Sequence, residues 1–377
     1  MDVRRALILA TAALLVAPVA RSGHEQAVYP SYYPHEIEIA AMAPQRAAEL
    51  MRAGKLHAYV GDTRQAAFTP SDKIGTVESL GSFVIVRLNP DSAVAKHEAS
   101  ACAAAAAIVR DMSARDGGLI VHPYPVTPFH GDYLNHADRA EAARLRLLSA
   151  PPLPGDIKVR AAGNLRSRVR PEWLTEGTSW DAAIEEVGAS ALVAESTLAL
   201  NGWLGPSWVR TGWYQAYRLL GAATAGSVPK QEVDALLERL QTAANEGPAE
   251  RINREREFVR LLSSGCGTMV VGYTVKREYF NADYSAGVEN LSFDALEGFA
   301  SPMFLRTVKL KDFPWNGWLQ LGLEERPASA WNPVAGFTDE FGRLMWFAVG
   351  DAAAIPSPYD AAWMLNRISE VEAVPQR

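Results

Sequence analysis

A chain of 377 residues, 48% hydrophobic and 21% charged, has the composition of a globular protein and the length for two domains, which excludes broad disorder. Its formal net charge of −6 excludes the basic footprint of a protein that binds nucleic acid or an anionic membrane. Only two cysteines occur, Cys102 and Cys266, with no CxxC between them, which excludes a thioredoxin-type site, a cysteine-rich zinc module and an attached c-type haem.

In chain order, residues 1–22 read as a secretory signal. Arg4 and Arg5 form the charged region, Ala6 to Ala17 the apolar run, and cleavage after Ser22 leaves Ala20 at the −3 position. The run is short for a membrane span and no later stretch is long enough, so a periplasmic or secreted protein without a membrane span is expected. Residues 23–150 then read as an N-terminal α/β domain with a mostly parallel sheet. Its strands are His35 to Ile39, Leu56 to Val60, Ser82 to Leu88 and Leu119 to Val121, and its helices begin at Pro44, near Ala93 and at Tyr133. Residues 151–157, opening Pro-Pro-Leu-Pro-Gly, read as a linker.

Residues 158–377 read as a second domain of helices followed by an antiparallel sheet. Thr178-Ser179 caps an expected helix containing Asp181, Glu185 and Glu186, and amphipathic helices are expected over Ser227 to Thr242 and Ala249 to Leu262. Strands are expected at Met269 to Val275, Met303 to Leu310, Trp318 to Leu323 and Leu344 to Val349. The fold class is therefore α/β, or α+β over the whole chain. In an oxidising compartment Cys102 and Cys266 either pair or remain two buried thiols.

The segment richest in candidate chemistry is Ile120 to Asp138, IVHPYPVTPFHGDYLNHAD. All seven histidines lie in the first 136 residues, and three fall in this loop. His122, His130 and His136 with Asp132 and Asp138 form a nitrogen and oxygen set suited to a divalent transition metal, zinc or copper first. A competing reading makes Asp132 and His136, four residues apart, a local hydrogen-bonded pair. Tryptophans form a second group: Trp203, Trp208 and Trp213 in one cluster, Trp315 and Trp318 in another. Such aromatics either stack on a ligand or fill a core.

No GxSxG, GxGxxG, P-loop or HExxH motif is present. The stretch AAELMRAGKLHAYVGD (Ala47 to Asp62), followed by SFVIVRLNPDS, resembles segments of bilobed periplasmic solute-binding proteins. That resemblance implies two domains closing on a small solute or metal ion, without catalysis, for delivery to a transporter or enzyme partner. It assigns no site residue. The alternative is a metal-dependent hydrolase or oxidoreductase built on the His/Asp loop.

Overall fold

The computed structural model describes residues 34, 36–61, 68, 71, 73–115, 118–150, 156–194, 206–221, 230–242, 247–312, 317–328, 339–350, 353–366 and 369–370. The expected signal, most of the linker, His24, His35, Trp203 and Trp315 lie outside the described residues.

The first half supplies β1 (Glu36–Ala41), α1 (Pro44–Arg52), β2 (Ala58–Val60), β3 (Ile74–Leu88), α2 (Glu98–Ser113), β4 (Leu119–Val121) and α3 (Ala137–Ser149). The second half adds β5 (Val159–Ala161), β6 (Ala182–Gly188), α4 (Ala189–Ala194), α5 (Gly212–Leu220), α6 (Lys230–Thr242), α7 (Pro248–Leu262) and β7 (Thr268–Asn281). After these come β8 (Val288–Glu289), α8 (Pro302–Thr307), β9 (Lys309–Leu310), β10 (Trp318–Leu323), α9 (Glu340–Val349), β11 (Ala354–Pro356) and β12 (Trp363–Leu365). The class is α/β, organised on one eight-stranded sheet of order β1-β10-β2-β7-β3-β6-β5, with β4 also on β7. Strands from both sides of residues 151–157 share this sheet.

Strand direction is mixed. β1 and β2 each pair in parallel with β10, and β5 with β6. The centre is antiparallel, because β3 and β7, 15 and 14 residues long, pair along their lengths. The parallel arrangement expected of the first half therefore holds at the flanks of the sheet and gives way at its centre.

Alternation along β3 sends side chains to two cores. Phe83 and Ile85 face Trp213, Leu219 and Phe258 of α5 and α7, whereas Val84, Val86 and Leu88 face Ile108 and Met112 of α2. A strand covered on both faces needs apolar residues at every position, which explains the unbroken run Phe83 to Val86. Alanines 101 and 103–107 are buried in α2, and their short side chains let the helix lie close to the sheet. A disulfide joins Cys102 in α2 to Cys266 just before β7, with Cα atoms 4.9 Å apart. This settles the question that the sequence left open.

Three expected elements are corrected. The segment carrying Glu185 and Glu186 is strand β6 rather than a helix, because it pairs with β3 from Ser82 to Leu88. Asp181 stands just before β6, and its carboxylate accepts from the Lys158 N–H at 2.9 Å. Met303 to Thr307 is helical, started by Ser301, whose hydroxyl accepts from the Phe304 N–H, with Pro302 at the first position. Likewise Leu344 to Val349 lies within α9, where Asp339 caps the Gly342 N–H at 2.8 Å. The expected antiparallel tail is also revised, since β10 lies between β1 and β2 and is parallel to both.

The C-terminal part is tied to β7 through buried charges. Lys276 Nζ lies 3.1 Å from Glu278 Oε1 and also pairs with Glu340 of α9. Glu278 is fully buried and accepts the Gly61 N–H at 3.2 Å and the Phe299 N–H at 2.6 Å. Burial pushes its carboxyl up to about 7, against the opposing pull of Lys276. Gly298, at φ +66°, is required here: a Cβ would lie 2.0 Å from Glu278 Oε2.

Candidate functional site

The histidine loop starts on the sheet. β4 pairs with β7 at Gly272 to Thr274, and only glycine fits at Gly272, where a Cβ would sit 1.9 Å from the Ile120 carbonyl. The His122 N–H then donates to the Val271 carbonyl at 3.0 Å. Prolines 123, 125 and 128 keep the following backbone extended, and the His122 ring closes the bend by donating from Nε2 to the Val126 carbonyl at 2.8 Å.

His130 is 3% exposed. Its Nδ1 accepts from the Thr127 N–H at 2.9 Å, so the ring proton is on Nε2, which donates to Gln215 Oε1 of α5 at 2.9 Å. His136 is fully buried. Its Nδ1 takes the Tyr124 hydroxyl at 2.9 Å, and its Nε2 lies 4.0 Å from Asp132 Oδ2. Burial holds the His136 imidazole below its ordinary value, with Asp132 pulling the other way.

The two aspartates bind to backbone and arginine. Asp132 accepts the Gly212 N–H at 2.9 Å and the Trp213 N–H at 3.3 Å, the free amides at the start of α5. Asp138 receives both guanidinium nitrogens of Arg256, at 2.7 and 2.6 Å, and Arg256 also donates to the Asn135 carbonyl. The loop thus joins β4, α5 and α7. Among the described residues, no three His, Cys, Asp or Glu side chains gather as a metal-binding group. The five residues share a region of the fold, but their polar atoms are directed to separate partners.

The tryptophans, for which the sequence left ligand stacking and core packing open, have different surroundings. Trp213 is fully buried, with Trp208 at 5.9 Å and Phe258 at 5.8 Å between ring centroids. It fills the core between α5 and α7 and offers no face to a ligand. Trp208 is partly buried against the same core, and Trp318 is 64% exposed at the first position of β10.

What sequence reasoning missed is a cavity of about 470 Å³ beside the loop. One wall is Pro123, Tyr124 and Pro125, and another is the Ala143 face of α3. The disulfide and the segment from Ser263 to Val270 complete it. Residues from both halves of the chain therefore enclose it. Thr268 is 7% exposed, and its hydroxyl has no hydrogen-bond partner among the described residues; the buried Ser263 hydroxyl oxygen is in the same position. A buried hydroxyl without a partner costs about 1–3 kcal/mol, so two beside one cavity leave room for a polar occupant. A sequence signal did exist: Arg139, Ala143, Arg146, Leu147 and Ala150 follow helical spacing along one face.

No known family model matches the sequence, and no curated protein matches it significantly. Partial likenesses to solved structures are found. HbpA2 from Haemophilus parasuis aligns at 12% identity and TM-score 0.44, over 72% of this chain and 56% of that one. The oligopeptide-binding protein AppA from Bacillus subtilis, solved with a nonapeptide, aligns at 11% identity and TM-score 0.41, over 71% and 58%. NikZ from Campylobacter jejuni, solved with Ni(L-His), aligns at 14% identity and TM-score 0.33, over 66% and 56%. The chain spans somewhat more than half the length of each of these structures.

Proposed function

We propose that this chain is an exported, non-catalytic binding protein that holds a small organic solute in the cavity between the histidine loop, α3 and the start of β7. The observation that carries this reading is the cavity itself. Its volume of about 470 Å³ falls within the usual range of small-molecule sites, and its mostly apolar wall carries a few polar groups able to fix an orientation. The histidines favour binding over catalysis. His122 Nε2 and both nitrogens of His130 are committed to hydrogen bonds within the loop or to α5, and His136 is fully buried. The loop acts as a wall, and delivery of the solute to a transporter or enzyme partner completes the proposal.

The test is native mass spectrometry of the isolated protein, joined to thermal-shift screening against a library of small organic solutes. A co-purifying solute or a rise in Tm is expected, and it should diminish when Ala150→Trp or Ala143→Phe narrows the cavity. No bound solute and no shift with any library member would overturn the proposal.

A further inference from the structure

The cavity has a charge signature that its volume does not explain. A chain with net charge −6 lines this one space with Arg139, Arg146 and Arg260 and, among the described residues, with no Asp or Glu. The neighbouring arginines are matched: Arg144 pairs with Glu141 at 2.8 Å, Arg256 with Asp138 at 2.6 Å, and Arg260 with Glu257 at 2.6 Å. Arg146 forms no ion pair with a described residue, and Arg139 acts only at longer range on Glu257, which Arg260 already holds. Arg139 and Arg146 stand seven residues apart on α3, two helical turns, on the side that carries Ala143 and faces the cavity. Also on the wall, the Thr268 hydroxyl belongs to a residue more than nine-tenths buried and has no partner among the described residues. The rest of the wall is mainly hydrocarbon and disulfide, including Leu147, Leu220 and Val270, with Tyr124, Ser263 and Ser264 adding hydroxyls.

We infer that the cavity takes an amphipathic carboxylate. Its anionic group meets Arg139 and Arg146, its hydrocarbon part lies against the alanine and leucine wall, and the Thr268 hydroxyl donates to an oxygen of the ligand. Two guanidinium groups, neither held in a close ion pair, favour a carboxylate because they offer several charge-assisted hydrogen bonds where a neutral alcohol accepts weaker ones and an ammonium is repelled. This inference rests on the cavity being the binding site and adds the ligand class.

The experiment compares octanoate, 1-octanol and octylammonium, matched in chain length, by isothermal titration into the mature protein. Octanoate should bind at least about tenfold tighter than either partner. In Arg139→Gln/Arg146→Gln that preference should vanish, with octanoate affinity falling to about that of octanol. Both side chains are at least partly solvent-exposed, so the variant is expected to fold, with circular dichroism as the check. Because Cys102 and Cys266 line the cavity, bound octanoate should also slow reduction of their disulfide. Equal affinity for the three probes would overturn the carboxylate assignment and leave the proposed function standing. A preference that survives in the double variant, or failure of octanoate to bind at about 10 mM, would overturn it as well. Only the library screen described above bears on the binding function itself.

Discussion

Replacing Asp132 by Asn separates the tether seen in the structure from the metal ligand suggested by the sequence. The Asp132 side chain is 9% exposed, and its two oxygens accept the first two amides of α5. Asn keeps one acceptor for Gly212 and presents an NH2 group where the Trp213 N–H needs an oxygen. Losing a charge-assisted hydrogen bond costs about 1.5–3 kcal/mol, and losing negative charge at a helix N-terminus about 0.3–1 kcal/mol more. The expected destabilisation is therefore about 2–4 kcal/mol. Asp138→Asn is the control, because that carboxylate is 65% exposed at its contact with Arg256; its expected cost is at most about 1 kcal/mol. Urea unfolding of chelator-treated protein, with m unchanged, is the assay. If Asp132→Asn matched the wild type in chelator and lost stability only relative to zinc-loaded protein, the tether argument would fail.

Other expectations follow from the buried groups. Reducing the Cys102–Cys266 bond, which spans 164 residues, should lower stability by up to about 5 kcal/mol on the chain-entropy model; an unchanged Tm in reductant would refute a structural role. His136 has its folded-state pKa lowered by burial, so its contribution is present above the unfolded value near 6.5 and is lost as pH falls below it. Between about pH 7.5 and about pH 5 the wild-type urea midpoint should fall further than that of His136→Gln, and parallel profiles would count against this. Glu278 runs the other way: its carboxyl is raised to about 7, so its contribution is full below the unfolded value near 4.5 and is lost as pH rises through 7. The stability gap between wild type and Glu278→Gln should accordingly narrow over that window, and a constant gap would remove Glu278 as its cause.

Much of the fold was legible where local pattern and tertiary role coincide. Ser82 to Leu88 reads as a buried strand because both of its faces are covered, and Pro44 and Gly54 frame α1 in sequence as in space. Legibility fails where pairing is decided by distant residues. The segment Ala182 to Gly188 carries two glutamates that suit a helix, yet β3 recruits it as a strand. The reverse holds for Met303 to Thr307 and Leu344 to Val349, whose apolar residues suggested strands. Their Ser301-Pro302 and Asp339 caps were present in the sequence and outweigh the β-prone composition. The direction of β10 could not be read locally, since its partners, β1 and β2, lie more than 250 positions earlier in the chain.

The histidine loop was legible as a concentration of polar groups but not as a choice of partners. The Gln215 amide, the Gly212 and Trp213 N–H groups and the Arg256 guanidinium are supplied by helices 80 to 118 residues further along the chain. No spacing rule inside Ile120 to Asp138 contains them. With those partners in place, the loop's chemistry becomes mechanical: its bonds hold Pro123 and Pro125 against the cavity, while Arg139 and Arg146 on the adjoining helix provide the charge. Wall and recognition are thus separable. Loosening the loop through Asp132 should weaken every solute alike, whereas removing the two arginines should weaken carboxylates most. A single set of residues serving as metal centre would couple stability and selectivity in each variant.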